Sequence, residues 1–202
     1  LTAKQTSKEL SALTEFVIEK AAPAFLVLVV LWNQIRYINR IKQGTLPSGV
    51  TWMIWSFVAG VMYFSQFKEK GFESAWMFLA YTVGAMVTMI ATLKASKFEW
   101  QKVHKVCFAL ALTALTISIC LSGKAGLCVN ITAHLIGTTL LWHKIWTGRS
   151  REPVDCWAIW LGCSSSNLFL AIMAGNLLIA PIYYASHNIV LNILLLLKQP
   201  RV

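Results

Sequence analysis

The chain has 202 residues, of which 57% are hydrophobic and 13% charged, against about 25% charged in an ordinary soluble domain. Its charges are segregated around apolar runs of about the length a hydrocarbon core requires, which argues against a soluble globule. The net charge of +10 collects at alternate ends of those runs, so it reads as membrane topology and argues against a nucleic-acid partner.

Residues 1–15 come first as an extracytoplasmic amphipathic segment. Thr6, Ser7, Lys8 and Glu9 fit a capping box, and Leu10, Leu13, Phe16 and Val17 give an apolar face at helical spacing. A cleavable signal peptide is a poor reading, because no small-residue cleavage site follows the apolar run. Seven spans are then expected, near residues 16–38, 50–67, 74–94, 104–122, 126–145, 154–173 and 175–197. Pro23, near the start of the first, is read as a helix-entry proline rather than a hinge.

Arg36, Arg40 and Lys42 follow the first span; Lys94, Lys97, Lys102 and Lys105 follow the third. Lys144, Arg149 and Arg151 follow the fifth, and Lys198 and Arg201 the seventh. The intervening loops hold Lys68 and Lys70 balanced by Glu69 and Glu73, then Lys124 alone, then no charge. The positive-inside bias therefore places the amino terminus outside and the carboxyl terminus in the cytoplasm of a multi-pass integral protein set in a lipid bilayer.

An internal duplication organises the spans. The stretch from Leu31 to Trp55 returns in altered form from Leu140 to Trp160: an apolar run ends in a basic segment, a proline follows (Pro47, Pro153), and a Trp-x-x-Trp pair opens the next run. The expected fold is an all-α membrane protein of seven transmembrane helices, arranged as two parallel three-helix bundles over 16–97 and 124–202. Residues 98–123 supply a linker helix, whose odd count lets both units insert in the same orientation.

Polar amides inside a span must pair with neighbouring helices or face water, so Asn33 and Gln34 should point inward. Asn33-Gln34-Ile35, then a basic stretch with Lys42, then Gly44, Ser48-Gly49-Val50 and Trp52, resembles the PQ-loop and SWEET superfamily. That family has a Pro-Gln pair ending the first helix of each bundle. Here Asn33 stands in place of the proline, and the aligned pair in the second repeat is approximately Thr138-Thr139. The resemblance implies a three-one-three helix order. It also implies an asparagine in the substrate cavity at mid-height of the last helix, which falls on Asn188 with Asn192 one turn on; Gly84 and Thr88 stand opposite them in the first repeat.

Trp52 with Trp55, and Trp157 with Trp160, each share a helix face. Interfacial anchoring is the ordinary role of such residues, while stacking on sugar or heteroaromatic rings is the functional one. The deeper members, Trp55 and Trp160, are the expected cavity residues. The pairs also resemble a feature of nicotinamide riboside transporters.

No Asp, Glu, Lys or Arg falls in the middle of an expected span, whereas proton-coupled carriers commonly bury one there. His134 and His187 are left as titratable groups, each read as a neutral imidazole bonded to a hydroxyl. A retinal-binding photoreceptor would need a lysine in mid-span of the last helix, and Lys198 lies at its end. Cys120 and Cys128 flank an outer turn, where a disulfide or two free thiols would fit. Asn167 is expected to face the cavity or to bond between helices. No nucleophile, carboxylate pair, metal spacing or phosphate cradle emerges, so neither an enzyme nor a cofactor is expected.

The expected function is alternating-access transport, facilitative in mode, of a small neutral polar solute: a sugar or sugar-like molecule, a nucleoside or a vitamin. Its substrate groups are Asn33, Gln34, Trp55, Trp160, His187, Asn188 and Asn192. The alternative is a non-transporting receptor, sensor or interaction protein on the PQ-loop scaffold. Both leave open a homo-oligomer.

Overall fold

Prolines and glycines set where these helices stop and start. The computed structural model describes the backbone of residues 3–45, 47–70, 72–95, 101–121, 123–173 and 179–198, with side chains for all of these except 3–4, 6–7, 15, 18–19, 66, 68–70, 72–78, 123–124 and 179–180. Among the described residues it is all-helical, without a strand.

α1 (Ala3–Phe16) runs through a π-helical turn (Val17–Ala21) into α2 (Ala22–Lys42) without a loop. Pro23 has no amide hydrogen to give to a carbonyl four residues back. Just before it the ladder takes in one extra residue: the Ala22 amide bonds the Val17 carbonyl, five residues back, which is the pattern of a π-bulge. Because α1 is already helical at Ala3, Thr6 does not cap a helix start; the side chains of Thr6 and Ser7 lie outside the described residues. Leu10, Leu13, Phe16 and Val17 are exposed.

α2 and α6 (Gly123–Trp146) end alike. Gly44 (φ 100°) and Gly148 (φ 68°) take the left-handed conformation that favours glycine. The next amides then turn back onto the helix, Thr45 to the Arg40 carbonyl at 3.1 Å and Arg149 to the Lys144 carbonyl at 2.8 Å, satisfying carbonyls the helix leaves unpaired. Pro153 keeps Glu152 out of helical conformation, and α3 (Gly49–Lys70) and α7 (Val154–Met173) begin beyond Pro47 and Pro153. The remaining helices are α4 (Phe72–Ala95), α5 (Lys102–Cys120) and α8 (Ile179–Lys198). α5 opens with a capping box between Gln101 and His104. Gly71, Lys97 and Arg201 lie outside the described residues, as do the side chains of Lys68, Glu69, Lys70, Glu73 and Lys124.

Helices cover the expected spans to within a few residues. Three stretches, Lys102–Cys120, Ala125–Trp146 and Val154–Met173, are long and apolar enough to cross a membrane, and Gly49–Ser65 and Leu79–Ala95 are shorter apolar helices. The outer surface has the matching character. α2 exposes Phe25, Leu28, Trp32 and Ile35 as one stripe while burying Val27, Val30, Asn33, Tyr37 and Ile41 on the other side. A helix that shows water its apolar stripe and hides its amides has the polarity of a membrane protein.

α2 packs on α4 and α7; α3 packs on α4, α5 and α6; α6 also packs on α5 and α8, and α7 on α8. Tyr37, Trp52, Trp55, Trp157 and Trp160 form the centre of the core, with Ile54, Leu141, Leu191 and Leu195 around them.

Candidate functional site

The α2–α7 crossing is antiparallel and differs at its two ends. At the basic end, Arg36 and Arg40 lie one turn apart on α2 and both reach Asp155 Oδ2, at 2.7 and 2.9 Å. These ions are more than a third exposed, so the pairing contributes no more than about 1 kcal/mol.

A buried carboxylate lies beside this pair. Glu152, 2% exposed, accepts the Tyr37 hydroxyl, the Trp157 indole N–H at 3.1 Å and the Ser150 hydroxyl at 2.8 Å. The Trp52 indole N–H donates in turn to the Tyr37 oxygen at 3.1 Å. Burial pushes the Glu152 carboxyl up from its ordinary value, against the pull of these donors. One level further in, the Asn33 amide donates to the Cys156 carbonyl at 2.9 Å. The α3–α6 crossing has a counterpart, the Thr51 hydroxyl donating to the Gly137 carbonyl at 3.0 Å.

Toward the other end of the α2–α7 seam, a shallow and mainly apolar surface groove runs between Ala22, Phe25 and Leu26 of α2 and Ser165, Ser166, Phe169 and Leu170 of α7.

Between these ends the walls are aromatic. Trp157 and Trp160 approach to 4.5 Å between ring centres, and Trp160 lies 5.3 Å from Tyr37 and 5.6 Å from Trp52. Beside this group, Trp55 stacks on His134 at 4.9 Å and 8°, and its indole donates to the His134 carbonyl at 3.2 Å. Trp142 stacks on His187 at 6.0 Å and 24°. The two imidazoles meet edge to face at 5.3 Å, joining the stacks from α3, α6 and α8.

Polar atoms without partners gather on these same helices. Asn33 Oδ1 on α2, Asn130 Oδ1 and Trp142 Nε1 on α6, and His187 Nδ1 and Asn188 Oδ1 on α8 are buried and unbonded. Leaving a buried polar atom unbonded costs about 1–3 kcal/mol, so each is a place where a bound hydroxyl or amide gains more than it would in water. They comprise one indole donor, three carbonyl acceptors and one imidazole nitrogen, of which the indole and the imidazole belong to the stacked Trp142–His187 pair.

No family model, curated protein or solved structure matches the chain. Its chemistry is therefore read from its own residues.

Of the seven expected substrate residues, Trp55 and His187 have rings in contact and Asn188 follows His187 on α8, while Asn33 lies at the α2–α7 crossing, bonded to the Cys156 carbonyl. Trp160 lies in the adjoining ring cluster. Gln34 faces α4 instead, accepting the Thr88 hydroxyl at 2.6 Å in space left by Gly84, where an added Cβ would lie 3.0 Å from Gln34 Cγ. The Asn192 amide is bonded to the Trp157 and Asn188 carbonyls at 3.1 and 2.8 Å. Asn167 is exposed, and Ser164 bonds Asn188 across to α8 at 3.2 Å. Ser165 and Ser166, beside Asn167 on α7, are exposed as well. His134 has its hydroxyl, from Tyr183 at 2.9 Å, whereas Nδ1 of His187 has none. Cys120 and Cys128 are free and exposed.

Glu152 and Tyr37 are the residues that the search for a mid-span carboxylate missed, because Glu152 sits just before Pro153. A signal was available. After Glu99 the chain has only two acids, Glu152 and Asp155, and they flank that proline within an otherwise basic region.

Proposed function

We propose that the chain is a membrane carrier on the SWEET and PQ-loop plan, taking a small neutral polar solute with a flat ring: a sugar-like molecule, a nucleoside or a vitamin. α2–α4 and α6–α8 form two parallel three-helix repeats, α5 links them, and seven helices cross the bilayer with the basic loops in the cytoplasm. In each unit the first and second helices both pack on the third, and the units meet through α2 with α7 and α3 with α6. The first-helix ends at Gly44 and Gly148 and the crossings at Asn33 and Gly137 repeat the same relation, which is what two copies about one axis produce.

One observation carries the reading: Trp142 and His187, whose rings stack, each keep a buried polar atom unbonded, and Asn188, next to His187 on α8, keeps its carbonyl oxygen unbonded. The mode of action is supported by the difference between the two ends of the seam, with Arg36 and Arg40 paired to Asp155 at one and a shallow surface groove at the other. Rocking one unit on the other would exchange the two ends. The cross-seam bond from Asn33 to Cys156, made where the family has proline, favours the second reading, a non-transporting receptor on the same scaffold. Proteoliposome uptake of labelled glucose, uridine and nicotinamide riboside separates the two. A saturable uptake that exceeds empty vesicles supports the carrier; none from a panel of such solutes supports the receptor.

A further inference from the structure

We propose that Glu152 is a proton-binding site at the basic end of the α2–α7 seam, loaded and emptied from that face, and that its protonation holds this end closed. The inference rests on the carrier reading for the motion that opens the end, and on geometry for the site itself.

Glu152 is held from both units. Tyr37 belongs to α2 and donates to it; Trp52, on α3, supports Tyr37; Trp157 begins α7 and donates to the same oxygen. Separating α2 from α7 at this end removes the Tyr37 hydroxyl and admits water. The carboxyl would then pass from a dry ring-lined site to a wet one. Dry surroundings disfavour the anion and favour the acid, whereas water restores the anion. A group that binds a proton more tightly in one conformation than in the other makes the proton a ligand of the first.

The neighbouring charges do not remove this difference. α2 presents Tyr37, with Arg36 and Arg40 directed to Asp155. α6 presents Lys144, within electrostatic reach of Glu152. α7 presents Asp155 and Cys156, and the α3 side presents, among the described residues, Trp52 and Ser48, whose backbone N–H donates to the Glu152 carboxylate and, like the other donors, pulls against the effect of burial. Two arginines and one lysine face two carboxylates and a tyrosine, so the carboxyl can lose its proton once water enters. The face on which this happens carries Arg149 and Arg151, both exposed. The groove toward the far end of the seam is separated from Glu152 by the bonded pair of Asn33 and Cys156.

The test uses the full chain in lipid nanodiscs, its native cysteines replaced by serine, with spin labels at Asn39 on α2 and Ala158 on α7, both exposed. Distance distributions are recorded from pH 4.5 to 8.5. The expected result is a short population at low pH that gives way to a longer one as pH rises, with Glu152→Gln staying short throughout because its neutral amide mimics the acid. Ser150→Ala provides a second arm that keeps the carboxyl. It removes a donor to the anion from the same loop without touching α2, so the midpoint should move to higher pH. A distribution that ignores pH, the same titration in Glu152→Gln, or an unmoved midpoint in Ser150→Ala would overturn the proposal. Uptake of the three labelled solutes is measured on the same preparations. Uptake that persists while the distances fail to follow Glu152 sinks the proton site alone, and a titration that follows Glu152 without any uptake sinks the carrier alone.

Discussion

Tyr37 on α2 donates its hydroxyl to the carboxylate of Glu152, 115 residues further along the chain, and both side chains are buried. Because burial raises the proton affinity of that carboxyl, the folded state binds a proton that the unfolded state releases. Stability from this group is therefore complete below the ordinary glutamate value, about 4.3, and is lost as pH rises through the raised one. Thermal unfolding in detergent between pH 4 and 8 should show the wild-type midpoint falling relative to Glu152→Gln as pH increases. A constant difference between the two would mean that Glu152 has the same affinity folded and unfolded.

Gly137 is packed beneath Trp55. A Cβ added there would lie 3.1 Å from the Trp55 indole nitrogen and 3.2 Å from Ile54 Cγ2, both on a helix fixed by its own packing. Gly137→Ala should cost about 1–3 kcal/mol, the range for overfilling a packed core, and should blue-shift or broaden the tryptophan emission. Gly162 on α7 meets nothing within 4 Å. There the same substitution should stabilise by up to about 1 kcal/mol through helix propensity. Equal effects at the two positions would show that the α3–α6 contact is looser than its distances imply.

How far the sequence carried depended on whether a feature was periodic or relational. The apolar runs, the doubled Trp-x-x-Trp pairs and the two prolines follow from spacing, and the helices fall where spacing puts them. All four tryptophans of the pairs are buried. Gln34 points inward as expected but finds its partner on α4, and Asn167 is exposed, because an amide in an apolar run signals only that it needs a partner. Whether that partner is Thr88 in the notch at Gly84, a solute or the exterior depends on the crossing of helices far apart in sequence. Glu152 escaped for a related reason: it precedes α7 by one proline, and its surroundings are made by Tyr37 on α2 and Trp52 on α3, both far earlier in the chain.

The proposed orientation has a direct readout. Single cysteines at Phe67 and at Arg149, both exposed, should react with a membrane-impermeant maleimide from opposite sides of intact vesicles. The native thiols at Cys120 and Cys128 should label from the same side as Phe67, since both flank the turn between α5 and α6. Labelling of positions 67 and 149 from one side would end the seven-span topology.

Asn188 separates a ligand contact from a structural one. Its amide nitrogen bonds Ser164 and the Tyr184 carbonyl at 3.2 and 3.0 Å, while its carbonyl oxygen is unbonded. Side-chain bonds between membrane helices average about 0.6 kcal/mol, so Asn188→Ala should fold at close to wild-type yield. Losing the acceptor should weaken solute binding by about tenfold or more, the equivalent of about 1.4 kcal/mol. A folding defect with normal binding per folded molecule would assign Asn188 to the α7–α8 contact alone.

The mode of energy coupling follows from where protons can enter. A carboxyl loaded and emptied from one face sets a rate, but it moves no proton across the membrane and does no work on the solute. In proteoliposomes of known orientation, the initial rate of uptake should depend on pH at the basic-loop face and lose that dependence in Glu152→Gln. The final level should equal the outside concentration whatever the gradient, whereas coupling to one proton would give about tenfold accumulation for each pH unit imposed, at about 1.4 kcal/mol per tenfold. His187 is the residue placed to overturn this, being a buried titratable side chain with an unbonded ring nitrogen, next to Asn188. Gradient-driven accumulation that disappears in His187→Gln would make the protein a histidine-dependent symporter. Equilibration in both proteins, with the rate following Glu152, leaves a passive carrier whose opening is set by the proton on one carboxyl.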